Sequence, residues 1–319
     1  MKAPDFWWQQ HQGWQSRLLA PLGWLYAATT ARRMARPGFH AGIPVICCGN
    51  PTVGGSGKTT LALDLGARLQ ARGRKPAFLT RGYGGSQRVP CQVTTQNAED
   101  VGDEALLLAA LAPTYVGADR AATARLAMED GADVLVMDDG LQNPTLAKTL
   151  SLLVVDAAVG FGNGYPIPAG PLRETLAAAI ARCQAAVLIG AGQADARFGA
   201  LPVLTAHLVA DADHLAGQSL YAFAGIGRPQ KFVETLTAAG AIVAGLRAFP
   251  DHYRYRPADL VAIHAAAADL GAVPVTTPKD AVRLPADFRA QTRVVGVRLV
   301  WDDPVALDRL LDPLLAGGR

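Results

Sequence analysis

Residues 46–60 read ICCGNPTVGGSGKTT: an apolar run stops at a glycine-rich turn and continues into a helix-forming stretch. A loop of this kind needs backbone N–H groups that converge on an anion, and glycines that tolerate the necessary φ/ψ values. It also needs a lysine followed by a hydroxyl. Gly54, Gly55, Ser56, Gly57, Lys58 and Thr59 supply the set, with Thr52 and Val53 leading in and Thr60 following. The usual spacing, G-x-x-x-x-G-K-[ST], wants a glycine where this chain has Thr52. The approach from the strand is therefore shaped otherwise, and the turn Gly49, Asn50, Pro51 is the candidate. The loop predicts a bound nucleotide, with Lys58 on its phosphates and Thr59 beside Mg²⁺.

The rest of the chain sets the fold class. Hydrophobic residues make up 50% and charged residues 18% of the 319, which suits buried parallel strands. From Ile43 onward the apolar runs IPVICCGN, PAFLT, TYVG, VLVMDDG, SLLVVDA and AAVLIG alternate with helical patterns near 58–72, 104–111 and 120–129. This order predicts an α/β fold of the P-loop NTPase type, a mostly parallel sheet with helices on both faces. After a polar stretch at Asp211 to Gln218 the pattern restarts with LYAFAGIG, AIVAGLRAFPDHY, AVPVTT and RVVGVRLVW, with helices near 229–238 and 257–270. The expected domains are an N-terminal membrane-associating helical segment at 1–38, a nucleotide-binding domain at 39–214 and a smaller C-terminal α/β domain at 215–319.

Trp7, Trp8, Trp14 and Trp24 crowd the N-terminus. The uninterrupted stretch 18–31 is shorter than the roughly 20 residues of a spanning helix, and Pro21 and Gly23 interrupt it. A secretory signal is disfavoured by Asp5 and by Arg32, Arg33 and Arg36, which follow the apolar run instead of preceding it. Two readings remain. The helix lies in a membrane interface, where each arginine near anionic lipid contributes about 1 kcal/mol, or its tryptophans pack on the protein's own core. A net charge of +3 gives no nucleic-acid footprint. Cys47, Cys48, Cys91 and Cys183 show neither C-x-x-C nor zinc spacing, so they are read as small reduced thiols without chemistry.

VLVMDDG supplies Asp138 and Asp139 at a strand end, where one acid holds Mg²⁺ through water or the pair caps the next turn. A GTPase would carry N-K-x-D, and Lys279 and Asp280 in TTPKDAVRL have the wrong spacing. Positioning ATPases carry a lysine before the paired glycines, where this chain has Val53. A kinase needs a base and cations around the moving phosphoryl group. Candidates are Asp103 and Glu104 in VGDEALLLA, Arg120 in GADR, Arg173 and Glu174 in AGPLRE, and Asp251 and His252 in FPDHYRY.

Taken in order, GNPTVGGSGKTT, TRGYGG, VGDEALLLA, DDGLQN, GPLRE, FPDHY and TTPKDAVRL resemble the tetraacyldisaccharide 4'-kinase family of lipid A biosynthesis. The N-terminal FW and LLAPLGWLY are similar to that family's membrane-facing start, so the resemblance spans nearly the whole chain. Family members share the threonine at 52, whereas Thr60 stands where they commonly have proline. The resemblance implies transfer of the ATP γ-phosphate, with Mg²⁺, to the 4'-hydroxyl of an acylated, 1-phosphorylated glucosamine disaccharide. It places a peripheral enzyme at the cytoplasmic face of the bacterial inner membrane, with no nucleic acid and no protein partner. It also implies Asp103 as general base, a role worth about 10²- to 10⁴-fold, with His252 orienting it or tuning its proton affinity. On residue type alone Asp103 reads equally as a first-turn carboxylate. Because His252 falls in the C-terminal domain, the pairing requires the lobes to close. Lys58, Arg120 and Arg173 are expected on phosphate oxygens, Tyr83 on adenine or against the sheet, and Glu104, Gln142 and Glu174 as polar substrate contacts. The alternative is a membrane-associated positioning ATPase with no lipid acceptor.

Overall fold

The computed structural model describes residues 3–9, 13–211 and 215–316. Among these, the apolar runs of the first lobe form β1 (Val45–Gly49), β2 (Pro76–Thr80), β3 (Cys91–Gln92), β4 (Thr114–Val116), β5 (Val134–Asp138), β6 (Leu150–Asp156), β7 (Ala185–Ile189) and β8 (Val203–Ala210). A second sheet holds β9 (Ser219–Ala224), β10 (Ile242–Ala248), β11 (Val273–Thr276) and β12 (Arg293–Val294), all parallel, in the order β10-β9-β11-β12. The last strand, β13 (Val297–Trp301), returns antiparallel to β8. The large sheet therefore runs β13-β8-β7-β6-β1-β5-β2-β4-β3, parallel except at its two edges, where β3 runs antiparallel to β4.

Every residue of β1, β2, β5, β6 and β7 is buried. Burial on both faces is why these strands read as unbroken apolar runs. Alternation sends Val45 and Cys47 to one core and Ile46 and Cys48 to the other. The helices are α1 (Trp14–Met34), α2 (Lys58–Ala71), α3 (Ala98–Val101), α4 (Asp103–Ala109), α5 (Arg120–Glu129) and α6 (Leu176–Ile180) in the first lobe. The second lobe adds α7 (Pro229–Ala238), α8 (Pro257–Asp269), α9 (Pro278–Ala281) and α10 (Ala286–Ala290), and α11 (Pro304–Ala316) follows β13. The α/β class and the mostly parallel sheet are those the sequence predicts.

The far end of the chain differs from expectation. RVVGVRLVW is divided between two sheets: Arg293 and Val294 stay beside β11, whereas Val297–Trp301 pairs with β8. Leu299 and Trp301 then join the core that contains Leu61, Leu65 and Leu69 of α2, as do Leu307 and Leu311 of α11. Residues 297–316 thus belong to the first lobe, not to a C-terminal domain running to 319. The physical reason is an edge: without β13, β8 would present unpaired backbone groups. The nearer boundary, at 214, falls at residues 212–214, outside the described residues.

Helix α1 runs 21 residues through Pro21. Its buried side carries Ser16, Gly23, Ala27 and Thr30, while Trp14, Leu18, Leu22, Trp24 and Leu25 are 51–71% exposed. Small residues face the protein and large apolar residues face out, which overturns core packing for Trp14 and Trp24. Among the described residues no helix is long and apolar enough to cross a membrane.

Leu307 is fully buried against the first-lobe core. Leu307→Ala is expected to destabilise that lobe by about 2–5 kcal/mol. The check is the urea midpoint of nucleotide binding, and an unchanged midpoint would place α11 outside this core.

Candidate active site

The chain leaves β1 in the middle of the sheet and turns at once into the glycine-rich loop. Gly57 has φ 87°, and a Cβ there would lie 2.7 Å from Ile189 Cδ1 at the end of β7. Only glycine satisfies both demands. Gly57 is also the residue before α2, so Lys58, Thr59 and Thr60 form its first turn and present free backbone N–H groups, as anion binding requires.

Thr52 has a structural explanation. It forms an antiparallel bridge with Leu172, Val53 N–H donates to Pro171 O at 2.9 Å, and Arg173 N–H donates to Pro51 O at 2.6 Å. Asn50 Nδ2 donates to Thr52 Oγ1 at 3.0 Å, and Lys58 Nζ donates to Asn50 Oδ1 at 3.2 Å. The segment GPLRE therefore props the loop where a glycine turn would otherwise shape it.

The two acids after β5 divide their work. Asp138 is buried and accepts from Thr59 Oγ1 at 2.8 Å through Oδ2, while its Oδ1 is buried with no hydrogen-bond partner. Burial, and then the charge of Glu104, push its carboxyl up to about 7. Asp139 has φ 53°, accepts from Arg173 Nη1 at 2.8 Å through both oxygens and lies 3.8 Å from Lys58 Nζ. Burial opposes its ionisation, but Lys58 and Arg173 outweigh it and hold the carboxyl below its usual range. Asp138 and Thr59 thus form the pair suited to Mg²⁺, and Asp139 is engaged by cations. Among the described residues no cluster of three or more His, Cys, Asp or Glu forms a metal cage. Mg²⁺ instead suits one or two carboxylates together with substrate phosphates, and the orphaned Asp138 Oδ1 fits that requirement.

Three residues expected on substrate are held by hydrogen bonds within the protein. Gln142 Nε2 donates to Asn50 O at 3.0 Å and to Glu174 Oε1 at 2.8 Å, and buried Glu174 accepts from Arg182 Nη2 at 2.6 Å. Both brace the loop from behind. Arg120 is 1% exposed and donates to the Gly117 carbonyl, and its Nε has no partner. Burial lowers its pKa to about 10 against the opposing charges of Asp139 and Asp138. Arg120 is therefore a buried cation whose charge acts on the acid pair. Tyr83 is 67% exposed, with its ring 5.6 Å from that of His252, so it does not pack on the sheet.

A second cluster assembles between the lobes. Gly102, at φ 82°, separates α3 from α4, and a Cβ there would meet Tyr83 O at 2.4 Å. This break sets Asp103 at the start of α4, 3% exposed. Asp103 Oδ1 lies 3.2 Å from His252 Nδ1, and Oδ2 accepts from Arg283 Nη2. Lys279 Nζ stands 4.0 Å from Asp103 Oδ2, 3.7 Å from Glu104, 3.5 Å from Asp251 and 3.4 Å from His252 Nε2. Burial would raise Asp103, but His252, Lys279 and Arg283 prevail and hold it well below the usual carboxylate range. Asp103 of the first lobe and His252 of the second are in contact. Sequence reasoning passed over Lys279 and Arg283 as site residues. Lys279 lies in α9 and Arg283 in the turn after it, and the motif TTPKDAVRL that contains both was the available signal.

Asp138 must be ionised to hold a cation, and lowering the pH through 7 protonates it. Mg²⁺-dependent ATP affinity is therefore expected to fall about tenfold from pH 8 to pH 6, while metal-free nucleotide binding stays level. Titration with a fluorescent nucleotide checks this, and Asp138→Asn should abolish the pH dependence.

Residues 15–316 match the family profile described as tetraacyldisaccharide-1-P 4'-kinase. The chain is 56% identical over 319 residues to the tetraacyldisaccharide 4'-kinase of Gluconacetobacter diazotrophicus, covering 98% of each chain. It is 51% identical over 329 residues to the protein of the same name from Rhodospirillum rubrum, covering 99% of each. Among solved structures it is similar to LpxK from Aquifex aeolicus in complex with ATP, with a TM-score of 0.76 and 24% identity over 94% of this chain and 99% of that one. The match in fold, the near-complete coverage and the identity to curated relatives agree: this chain belongs to the tetraacyldisaccharide 4'-kinase family.

Proposed function

We propose that this protein transfers the γ-phosphate of ATP to the 4'-hydroxyl of a tetraacylated glucosamine disaccharide 1-phosphate, in lipid A biosynthesis. The observation that carries the reading is the contact of Asp103 with His252 in a chain that also builds a phosphate loop with Asp138 beside Thr59. Glu104, next in sequence to Asp103, acts by its charge on Asp138, which links the pair to the phosphate loop.

In this reading the loop N–H groups and Lys58 bind the phosphates, and Arg173 holds Asp139 beside Lys58. Thr59 and Asp138 would hold Mg²⁺, which when bound neutralises charge on the phosphate oxygens. Asp103 accepts the proton of the attacking hydroxyl, and His252 Nδ1, 3.2 Å from Oδ1, shares it. Arg120 acts as a fixed positive charge on the acid pair. Closure of the second lobe excludes water from the transfer.

The acceptor's acyl chains need an apolar path. A groove of about 250 Å³ runs between Trp24, Ala27, Ala28 and Ala31 of α1 and Ala178 of α6 with its N-cap Thr175, and Glu174 also lines it. The outward face of α1, followed by Arg32, Arg33 and Arg36, suits a peripheral position on the cytoplasmic surface of the bacterial inner membrane.

With labelled ATP and the 1-phosphorylated acyl-disaccharide, Asp103→Asn and Lys58→Ala are each expected to lower transfer by about 10²- to 10⁴-fold. If wild type leaves the lipid unlabelled and hydrolyses ATP only as a dimer, the positioning-ATPase reading replaces this one. Replacing Trp14, Leu18, Leu22 and Leu25 by serine is expected to release the protein from anionic vesicles while sparing ATP binding. Full vesicle retention would refute the anchoring role of α1.

A further inference from the structure

We infer that Arg283 is a positioning residue that orients the Asp103 carboxylate for proton transfer, and that buried Asp280 holds Arg283 for this task. The inference rests on the reading of Asp103 and His252 given above.

The geometry is a chain of buried contacts across the lobe boundary. Asp280 is 0% exposed and accepts from Gly225 N–H at 2.9 Å and Tyr255 Oη at 2.8 Å through Oδ1, and from Thr277 Oγ1 at 2.7 Å through Oδ2. A carboxylate with three donors on rigid elements does not rotate. Arg283 Nη1 donates to the same Asp280 Oδ1 at 3.3 Å and to Tyr253 O at 3.4 Å, which turns Nη2 onto Asp103 Oδ2. The planar fork of a guanidinium fixes direction as well as charge, which an ammonium does not.

Gly225 ties this chain to the imidazole. Its N–H goes to Asp280, and its carbonyl accepts from His252 N–H at 3.2 Å. One peptide segment of the second lobe therefore sets both groups that grip Asp103, His252 on Oδ1 and Arg283 on Oδ2. His252 alone would leave the carboxylate free to swing about its Cβ–Cγ bond. The other charged groups facing the site are Lys279, 4.0 Å from Oδ2, with Glu104 and Asp251 beside it. Lys279 is partly drawn off by those two carboxylates, whereas Arg283 is 7% exposed and directed at Asp103 and Asp280. In this arrangement the second lobe supplies every group that grips the Asp103 carboxylate.

The test compares Arg283→Gln and Arg283→Lys with wild type in the labelled-ATP assay across pH, with folding followed by circular dichroism and thermal melting. The cation favours the ionised carboxylate, so its removal raises the proton affinity of Asp103. At saturating ATP and Mg²⁺, where the bound cation keeps Asp138 ionised, Arg283→Gln is expected to shift the acid limb of kcat to higher pH by about one to three units. It should lower kcat about 10- to 100-fold and leave KM for ATP within about twofold. Arg283→Lys keeps the charge and loses the fork, so the limb should return to its wild-type place while kcat stays about tenfold down. An Arg283→Gln limb superimposable on wild type would overturn the inference, whatever the loss of activity. So would wild-type kcat in Arg283→Lys, which also decides the matter if the glutamine variant does not fold. If Asp103→Asn retains wild-type turnover, the reading of Asp103 itself fails; if it is inactive and the Arg283 limb is unmoved, only the present inference does.

Discussion

The parallel strands of the large sheet end on the same edge, and that constraint decides where chemistry can sit. The C-terminal ends of β1, β5 and β6 are neighbours because β1 pairs with β5 on one side and β6 on the other. The glycine loop, the Asp138–Asp139 pair and Asp156 are therefore brought side by side by register alone. Open α/β sheets bind ligands in such a crevice. The loop then needs only local support, and it receives it from Leu172 and Pro171 on one flank and Gln142 behind.

The second lobe is joined to this edge by charge of one polarity. Arg228 and Lys231 meet Asp156, Arg254 meets Glu99, Lys279 meets Glu104 and Arg283 meets Asp103. In each pair the cation belongs to the second lobe and the carboxylate to the first. The pairs do not weigh equally. Arg254 and Glu99 are mostly exposed, so salt screens them and they contribute little. Arg283 and Asp103 are both buried, so losing one partner leaves the other uncompensated. The same polarity suits the proposed substrates, because a lobe that closes over a triphosphate and a sugar phosphate brings positive charge to them.

Much of this was legible in the chain because the signals are local. Continuous apolar runs mark strands buried on both faces, and G-G-x-G-K-T between strand and helix marks the anion site. The helix from Arg120 to Glu129 is capped where the pattern placed it, by Asp119. What was not legible depends on partners distant in sequence. Thr52 reads as a broken motif until Leu172 is seen against it. Arg120, Gln142 and Glu174 read as substrate contacts because residue type does not say whether a polar group meets solvent or a buried neighbour. RVVGVRLVW reads as one strand because nothing in its composition shows that β8 has a free edge for its second half. Composition left α1 with two readings, and only burial separates them: its small residues face inward, its tryptophans and leucines outward.

On the proposed reading, a lipid kinase must register a membrane-held sugar against a soluble nucleotide to within a hydrogen bond. The segment from Pro171 to Thr175 connects the two ends. Pro171 O accepts from the loop at Val53, and Arg173 reaches Asp139 with its side chain and Pro51 with its N–H. Glu174 is bonded to Gln142, which holds Asn50, and the Thr175 side chain caps α6, one wall of the groove against α1. The backbone that shapes the phosphate loop therefore also shapes the apolar groove. If acyl chains occupy that groove, as proposed, its wall is hydrogen-bonded through one short segment to the residues around Lys58 and Asp139. In this chain the loop is braced by GPLRE in place of the usual leading glycine. A self-contained glycine turn would hold a nucleotide equally well, but it would carry no reference to where the lipid lies.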